Sequence, residues 1–361
     1  MHHVLAARRL PERRERQDEH VLTPPVGLDE AVVAQAAASR WGLQVTLRYI
    51  AIGAGSYHWL GTAPAGTRYF LTADDLLDKP WLGADPDQVF SGLRAAFQTA
   101  LALRESAGLR FVVAPMRALG GEAACRLTAR YSLAVFPFVT GQSGRWGDAV
   151  TARDADALAN VLARLHQATP VVASQALRRS LELYGRAELE KALGEVDRPW
   201  SGGPFAERAR RELAAKAGLV AGWLDEFDDL AVRLAANGAA AATITHGEPH
   251  PGNFIRTGDG LALIDWDTVA LAPPERDLWM LEDGAPGALA RYRQLTGVTP
   301  DADAISFYRL AWTLYDIASY AGDLRAAHNW SRDSEKALTS LRLSLEPDPA
   351  ARPGPYRRPD S

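Results

Sequence analysis

Apolar positions recur along this chain at two different periods, and the change of period divides it in two. Between Leu28 and Trp41, the residues Ala31, Val32, Ala36 and Ala37 form one side, the spacing of a helix. The runs Leu43–Ile52, Ser56–Thr62 and Thr67–Thr72 are short and rich in β-branched and aromatic residues. Gly53–Ala54–Gly55 and Pro64–Gly66 separate them, which predicts an antiparallel meander. Helical spacing returns over Pro86–Ala107, where Val89, Leu93, Ala96, Phe97, Ala100 and Leu101 share a side. Phe111–Pro115 and Tyr131–Phe138 read as two further strands. The first part is thus a five-stranded sheet with one long helix, closing near Pro137.

After VTGQSGRWG at 139–147 the pattern is mainly helical, over Ala152–Gln167, Ser174–Leu193 and Glu207–Asn237, with the Pro- and Gly-rich break DRPWSGGP at 197–204. One strand–turn–strand unit interrupts it: Asn253–Arg256, the turn TGDG at 257–260, and Leu261–Ile264. Helices are expected again over Pro274–Glu282, Pro286–Leu295 and Asp301–His328. The charged and then Pro-rich stretch 1–27 and the Pro- and Arg-rich tail 346–361 are expected to be disordered. The fold class is α+β, with a small sheet lobe over 28–138 and a larger helical lobe over 139–345.

Composition narrows the partners. A chain of 361 residues is long enough for two lobes with their own cores. Its net charge of −4 argues against nucleic acid as a main partner and suits a cationic ligand. The single Cys125 excludes an internal disulfide and any cysteine-based metal cluster. No apolar run approaches the roughly 18 residues that would span a membrane. The first twenty residues mix arginines with acids and lack an apolar stretch, so they do not read as a secretion signal or transit peptide. The expected location is the cytoplasm, as a monomer or homodimer.

The segment HGEPHPGN at 246–253, with Asp265 in LIDWD twelve residues on, carries the chemistry. Phosphoryl transfer needs a residue to orient the attacking oxygen and cations fixed on the phosphates. Glu248 would orient or deprotonate a substrate hydroxyl. Asn253 and Asp265 would hold Mg²⁺, which prefers oxygen ligands and takes few from protein. Asp267 is either a second metal ligand or a turn-capping residue. A zinc site on His246 and His250 lacks the helical frame such sites use.

These residues resemble the catalytic loop HGDxHxxN and the IDW(D/E) strand end of the aminoglycoside phosphotransferase family. Its fold is similar to that of protein kinases, a bilobal arrangement. The segments 137–147 and 264–279 resemble the spectinomycin phosphotransferase branch. The resemblance implies ATP or GTP as donor, Mg²⁺, and a small-molecule acceptor, in particular a cationic antibiotic. It also implies that His246 bonds backbone in the loop or the metal-binding strand, that Asp277 holds the catalytic loop, and that the adenine meets the hinge near Phe136 and Phe138. The turn with Gly53, Gly55 and Ser56 would let backbone N–H groups approach phosphates.

Two departures stand out. Glu248 replaces the family's aspartate, and Thr72 stands where the third strand carries a lysine. The only glutamate of the helix 86–107, Glu105, lies near its end. A replacement cation would come from Lys79 or Arg94, with Lys79 favoured. On Asp301–His328, Trp312, Asp316, Tyr320 and Asp323 share a side and, with Glu282 and Asp283, would form an acidic, aromatic wall for a cationic ring; the alternative is that the aromatics are core. The functional alternatives are a catalytically weak or silent nucleotide-binding protein and a metabolite kinase.

Overall fold

The computed structural model describes residues 21–347, apart from 22, 26, 53–54, 146–147, 149–150, 237–241 and 285–286 and the side chains of 282–284. The expectations for most of 1–27, for Gly53 and for the tail beyond 347 therefore lie outside the described residues. The order begins with helix α1 (Glu30–Trp41), where the Asp29 carboxylate caps the Ala31 N–H and Gly42 closes the end in a left-handed conformation. Strands β1 (Thr46–Ile50), β2 (Ser56–Thr62) and β3 (Arg68–Asp75) form the expected meander. Helix α2 (Pro86–Glu105) starts on Asp85, which caps two N–H groups, with Pro86 at a position that needs no donor.

The fifth strand is not Phe111–Pro115. It is β4 (Cys125–Arg126), which lies outside β5 (Tyr131–Pro137), and the order is β1-β2-β3-β5-β4. Phe111–Pro115 instead crosses between lobes. Val112 bridges Leu263 in parallel, the Val113 N–H donates to the Leu263 carbonyl at 2.9 Å, and the Leu263 N–H to that of Phe111 at 2.7 Å. An apolar run can satisfy its burial without joining the nearest sheet. This one is buried in the core that continues from α2 into the second lobe.

The second lobe holds β6 (Gln142–Ser143), α3 (Ala152–Gln167), α4 (Thr169–Val172), α5 (Arg186–Gly194) and α6 (Ala206–Ala236). The expected helix over Ser174–Leu193 forms only from Arg186. Leu271 claims the backbone before it: the Leu271 N–H donates to the Leu177 carbonyl and the Arg179 N–H to that of Leu271. Then come β7 (Thr243–Thr245), a 3-10 turn (Pro251–Asn253), β8 (Phe254–Thr257), β9 (Gly260–Leu263), β10 (Ala270–Ala272), α7 (Glu275–Gly284), α8 (Ala288–Thr296) and α9 (Ala302–Arg325). Asn253 thus ends a turn and does not begin the strand. A last helix, α10 (Arg332–Ser344), was not expected from the sequence; Ser331 and Ser334 cap it reciprocally.

Three apolar clusters organise the whole. One joins α1 to the outer face of the sheet. A second fills the helical lobe among α5, α6, α9 and α10. The third runs from α2 through the crossing segment to α3, Phe254, Trp266 and α7. It underlies the segment 246–267 and ties it to both lobes.

Candidate active site

The loop after β7 is held from below by one carboxylate. Asp277, fully buried on α7, accepts the His246 N–H at 2.9 Å, the Gly247 N–H at 2.5 Å, and His166 Nε2 at 3.0 Å. Burial alone would raise the Asp277 pKa, but the His166 hydrogen bond and the charges around it hold it below the usual carboxylate range. His166 is fixed in turn by the Tyr292 hydroxyl at 2.7 Å. Gly247 has φ +102°, and a Cβ there would meet the Arg276 guanidinium at 2.3–2.7 Å. That guanidinium donates to Thr245 Oγ1 and to the Thr268 carbonyl, so it is a fixed floor.

His246 spends both ring nitrogens inside the protein. Nε2 donates to the Ile264 carbonyl at 2.8 Å, and Nδ1 accepts the Glu248 N–H at 3.2 Å. One neutral tautomer serves both bonds, and burial lowers the pKa in the same sense. The ring also packs edge-on against Trp266. His250 accepts the Gly252 N–H on Nδ1 and shapes the 3-10 turn; burial lowers its pKa to about 3. With His246 committed in this way, the two histidines do not form a zinc site.

The β8–β9 hairpin sets Asn253 and Asp265 side by side. Phe254 pairs with Leu263, and the Ile264 N–H donates to the Asn253 carbonyl at 2.9 Å, so Asn253 and Asp265 leave the hairpin at the same end. Asn253 Nδ2 donates to the Glu248 carbonyl at 3.0 Å, which ties Glu248 to this end and leaves Asn253 Oδ1 without a hydrogen bond among the described residues. Asp265 has φ +64°, the one positive value among described non-glycine residues. Such a conformation costs about 1–3 kcal/mol and collects at functional sites. Its carboxylate is open to the crevice and accepts no hydrogen bond among the described residues. Desolvation first, and then the charges of Asp267, Glu248 and Asp74, push its pKa well above the ordinary value, while Lys79 opposes them. An oxygen-only donor set with excess negative charge fits a hard divalent cation. Among the described residues no three His, Cys, Asp or Glu side chains converge on a metal, so protein would supply few of its ligands.

Lys79 closes the site from the sheet lobe. Its buried Nζ lies 2.6 Å from Asp267 Oδ2, 3.1 Å from Asp74 Oδ1 and 3.1 Å from Ser56 Oγ. Burial works against the ammonium, but Asp267, Asp74 and Asp265 outweigh it, and the lysine stays charged. Asp267 is thus one half of an inter-lobe ion pair. Thr72 lies two residues before Asp74 on the same face of β3, with its hydroxyl 3.2 Å from His58 Nδ1. Arg94 is exposed against Phe90, and Glu105 pairs with Arg117 at the outer end of α2. Gly55 has φ +79° in the turn before Ser56. The Phe136 ring is core, edge-on to Phe97, while Phe138 is half-buried under the Arg68 guanidinium.

The expected substrate wall divides. Asp316 is within electrostatic reach of Glu248. Burial first, and then the charge of Asp267 on Glu248 and of Glu248 on Asp316, push both pKa values to about 7. Trp312 lies beside Asp316 and packs against Trp279. Tyr320 stays beside Asp316, whose charge is the largest cause that raises its pKa, and also reaches Ser340 on α10 and the helical core, with Asp323 nearby. Tyr315 adds a second ring, which meets Trp81 and feels Glu248. The side chains of Glu282 and Asp283 lie outside the described residues. Sequence reasoning missed Asp74, Trp81, Arg179, Arg276, Tyr315 and His166. Only Asp74 had a signal, its position on the face of β3 that carries Thr72.

Comparison with known proteins shows the family and the fold. Protein StrN of Streptomyces griseus is 30% identical over 278 residues, 73% of this chain and 79% of that protein. Among solved structures, spectinomycin phosphotransferase in complex with ADP and spectinomycin superposes with a TM-score of 0.67 at 17% identity, covering 86% of this chain and 92% of that one. Amicoumacin kinase hAmiN in complex with AMP-PNP, Ca²⁺ and Ami gives 0.58 at 16%, covering 91% and 96%. At such identities these two likenesses are of fold, a protein-kinase-like bilobal arrangement. The family described as APH, the phosphotransferase enzyme family, matches residues 59–308, more than two thirds of the chain. The chain therefore belongs to the phosphotransferase enzyme family, and is a small-molecule kinase that phosphorylates an alcohol group.

Proposed function

We propose that this kinase uses ATP and Mg²⁺ to phosphorylate a hydroxyl of a cationic, aminocyclitol-like antibiotic. The observation that carries the reading is the pair Glu248 and Asp316 beside Trp312, Tyr315 and Trp81. Two carboxylates whose charge is disfavoured by burial and by the acids beside them favour a ligand that brings positive charge. The aromatic rings offer faces and edges to a ring-shaped cation. Glu248 sits on the loop that Asp277 anchors, and with a pKa near 7 it is matched to accept a hydroxyl proton at neutral pH. Asn253 and Asp265 would hold the metal, whose charge, once bound, neutralises the donor phosphates. Lys79 aligns the lobes through Asp267 and sets a cation on the sheet-lobe side of the crevice.

The related structures bound to spectinomycin and to AMP-PNP with Ca²⁺ support the same classes of ligand here. The test is ADP release from Mg·ATP on adding aminocyclitol, aminoglycoside and cyclic-peptide antibiotics, with simple amino alcohols alongside. One cationic antibiotic should raise turnover well above background, and Asp265→Ala should abolish the gain. Turnover with amino alcohols alone would mark a metabolite kinase. Mg·ATP binding without turnover on any acceptor would mark a silent protein.

A further inference from the structure

We propose that Arg179 binds the oxygens of the phosphoryl group during transfer, as an arginine that the chain itself supplies to the reacting centre; this rests on the phosphotransfer reading above. The backbone of Arg179 is fixed: its N–H donates to the Leu271 carbonyl at 3.0 Å, and Leu271 pairs with Ile244 in the stem of the catalytic loop. Its side chain then crosses toward the sheet lobe. Nη1 donates to the Trp81 carbonyl and to the Tyr184 hydroxyl, and the guanidinium lies 5.6 Å from the Tyr184 ring. Trp81 is the residue whose ring sits 5.4 Å from Lys79 Nζ. Arg179 therefore lies between the loop that carries Lys79 and the loop that carries Glu248.

Its Nε and Nη2 are shielded from water and have no partner among the described residues. Buried donors in native structures are nearly always paired, and an exception calls for a ligand or a water. Three cations act on Glu248: Arg276, Lys79 and Arg179. Arg276 is spent on Thr245 and Thr268, and Lys79 on Asp267, Asp74 and Ser56. Arg179 alone keeps two shielded, unpaired nitrogens. In the transfer the acceptor oxygen bonds to the γ-phosphorus as the bond to the bridging oxygen breaks. ADP leaves with that electron pair, and the hydroxyl proton passes to Glu248. The non-bridging oxygens carry charge throughout, and a guanidinium fork matches them better than a point charge does.

The test needs no acceptor. Arg179→Gln, Arg179→Lys and, as control, the exposed neighbour Arg178→Gln are compared with the unaltered protein. The readouts are affinity for MgADP with and without aluminium fluoride and the slow hydrolysis of Mg·ATP by water. Arg179→Gln should keep MgADP affinity within about twofold, lose the gain from fluoride, and hydrolyse about 10²–10³-fold more slowly at unchanged KM for ATP. Arg179→Lys should recover part of the rate and carries the test if the glutamine variant unfolds. An intact fluoride gain in the variants overturns the proposal, as does a parallel loss of MgADP affinity or an unaltered protein that gains nothing from fluoride. An unaltered protein that does not bind MgADP at all sinks the phosphotransfer reading itself.

Discussion

The two sides of the crevice solve their problems differently. On the helical side, Glu248, Asn253 and Asp265 come from one short stretch of chain. Backbone bonds fix their places: Asp277 to two N–H groups, His246 to the Ile264 carbonyl, and the β8–β9 ladder. On the sheet side, the cation comes from neither β3 nor α2 but from a loop four residues past β3, and its partner is Asp74. A site that must aim several oxygens at one point depends on backbone geometry, so its residues keep their spacing. A site that must place one charge depends only on reach, and the long, flexible stem of lysine can deliver that charge from elsewhere.

The largest expected effect tests the helical side. Asp265→Asn keeps a side chain that tolerates positive φ and removes the charge. Turnover should fall by about three orders of magnitude, while melting temperature should rise, because one of several crowded carboxylates is gone. A fall in both would mean that Asp265 is structural and that the helical side is not built around a cation. Next comes the sheet side. Lys79→Met leaves Asp74 and Asp267 buried without their cation, which costs about 3–5 kcal/mol in urea unfolding. It should also raise KM for Mg·ATP, while the exposed Arg94→Ala changes neither. Equal effects of the two variants would erase the contrast between an inserted and a solvated cation.

The same contrast explains what could be read from the sequence. The meander, α2, α3 and the β8–β9 hairpin follow from local period and turn residues, and the structure has them. The family resemblance, and not the local pattern, points to His246 and Asp277; in the structure His246 Nε2 donates to the Ile264 carbonyl and Asp277 accepts the His246 and Gly247 N–H groups. Phe111–Pro115 has a strand's composition, but its partner Leu263 is about 150 residues away. Ser174–Leu193 has a helix's composition, but Leu271 takes its backbone. Tyr320 and Tyr315 lie on the same helix, and the spacing that picks out Tyr320 does not show that Tyr315 also feels the charge of Glu248. Arg179 and Trp81 meet across the crevice from distant segments, a contact no periodicity encodes.

A smaller effect is expected from Glu248→Asp, which restores the family's residue on a loop shaped for the longer one. The Glu248 N–H and carbonyl bonds to His246 and Asn253 remain, so the loop stays and only the carboxylate retreats by one methylene. Misplacement by about 1 Å costs on the order of 100-fold, and the loss should appear in kcat with little change in KM for ATP. A gain in kcat would show that the loop never adjusted to glutamate.

The smallest effect is on stability, and its sign separates the crevice carboxylates from the anchor beneath them. Glu248 and Asp316 have folded pKa values raised to about 7, and Asp265 is raised as well. A raised carboxyl favours folding while it is protonated. Its contribution is complete below the unfolded value near 4–4.5 and is lost as pH rises through the folded value. All three are partly open to solvent, so each is worth about 1 kcal/mol after screening. Asp277 has the opposite sign: its lowered pKa adds stability above the unfolded value, lost only as pH falls through the folded one. From pH 5 to 8 the buried histidines His58, His246 and His250, with lowered pKa values, add stability as pH rises, while the crevice carboxylates remove it. The carboxylate share is therefore read as a difference: metal-free Glu248→Gln should gain melting temperature on the unaltered protein as pH rises from 5 to 8, and Mg²⁺ with ADP should narrow that gap at pH 8. A gap that stays constant over this range would make Glu248 an ordinary ionised surface group.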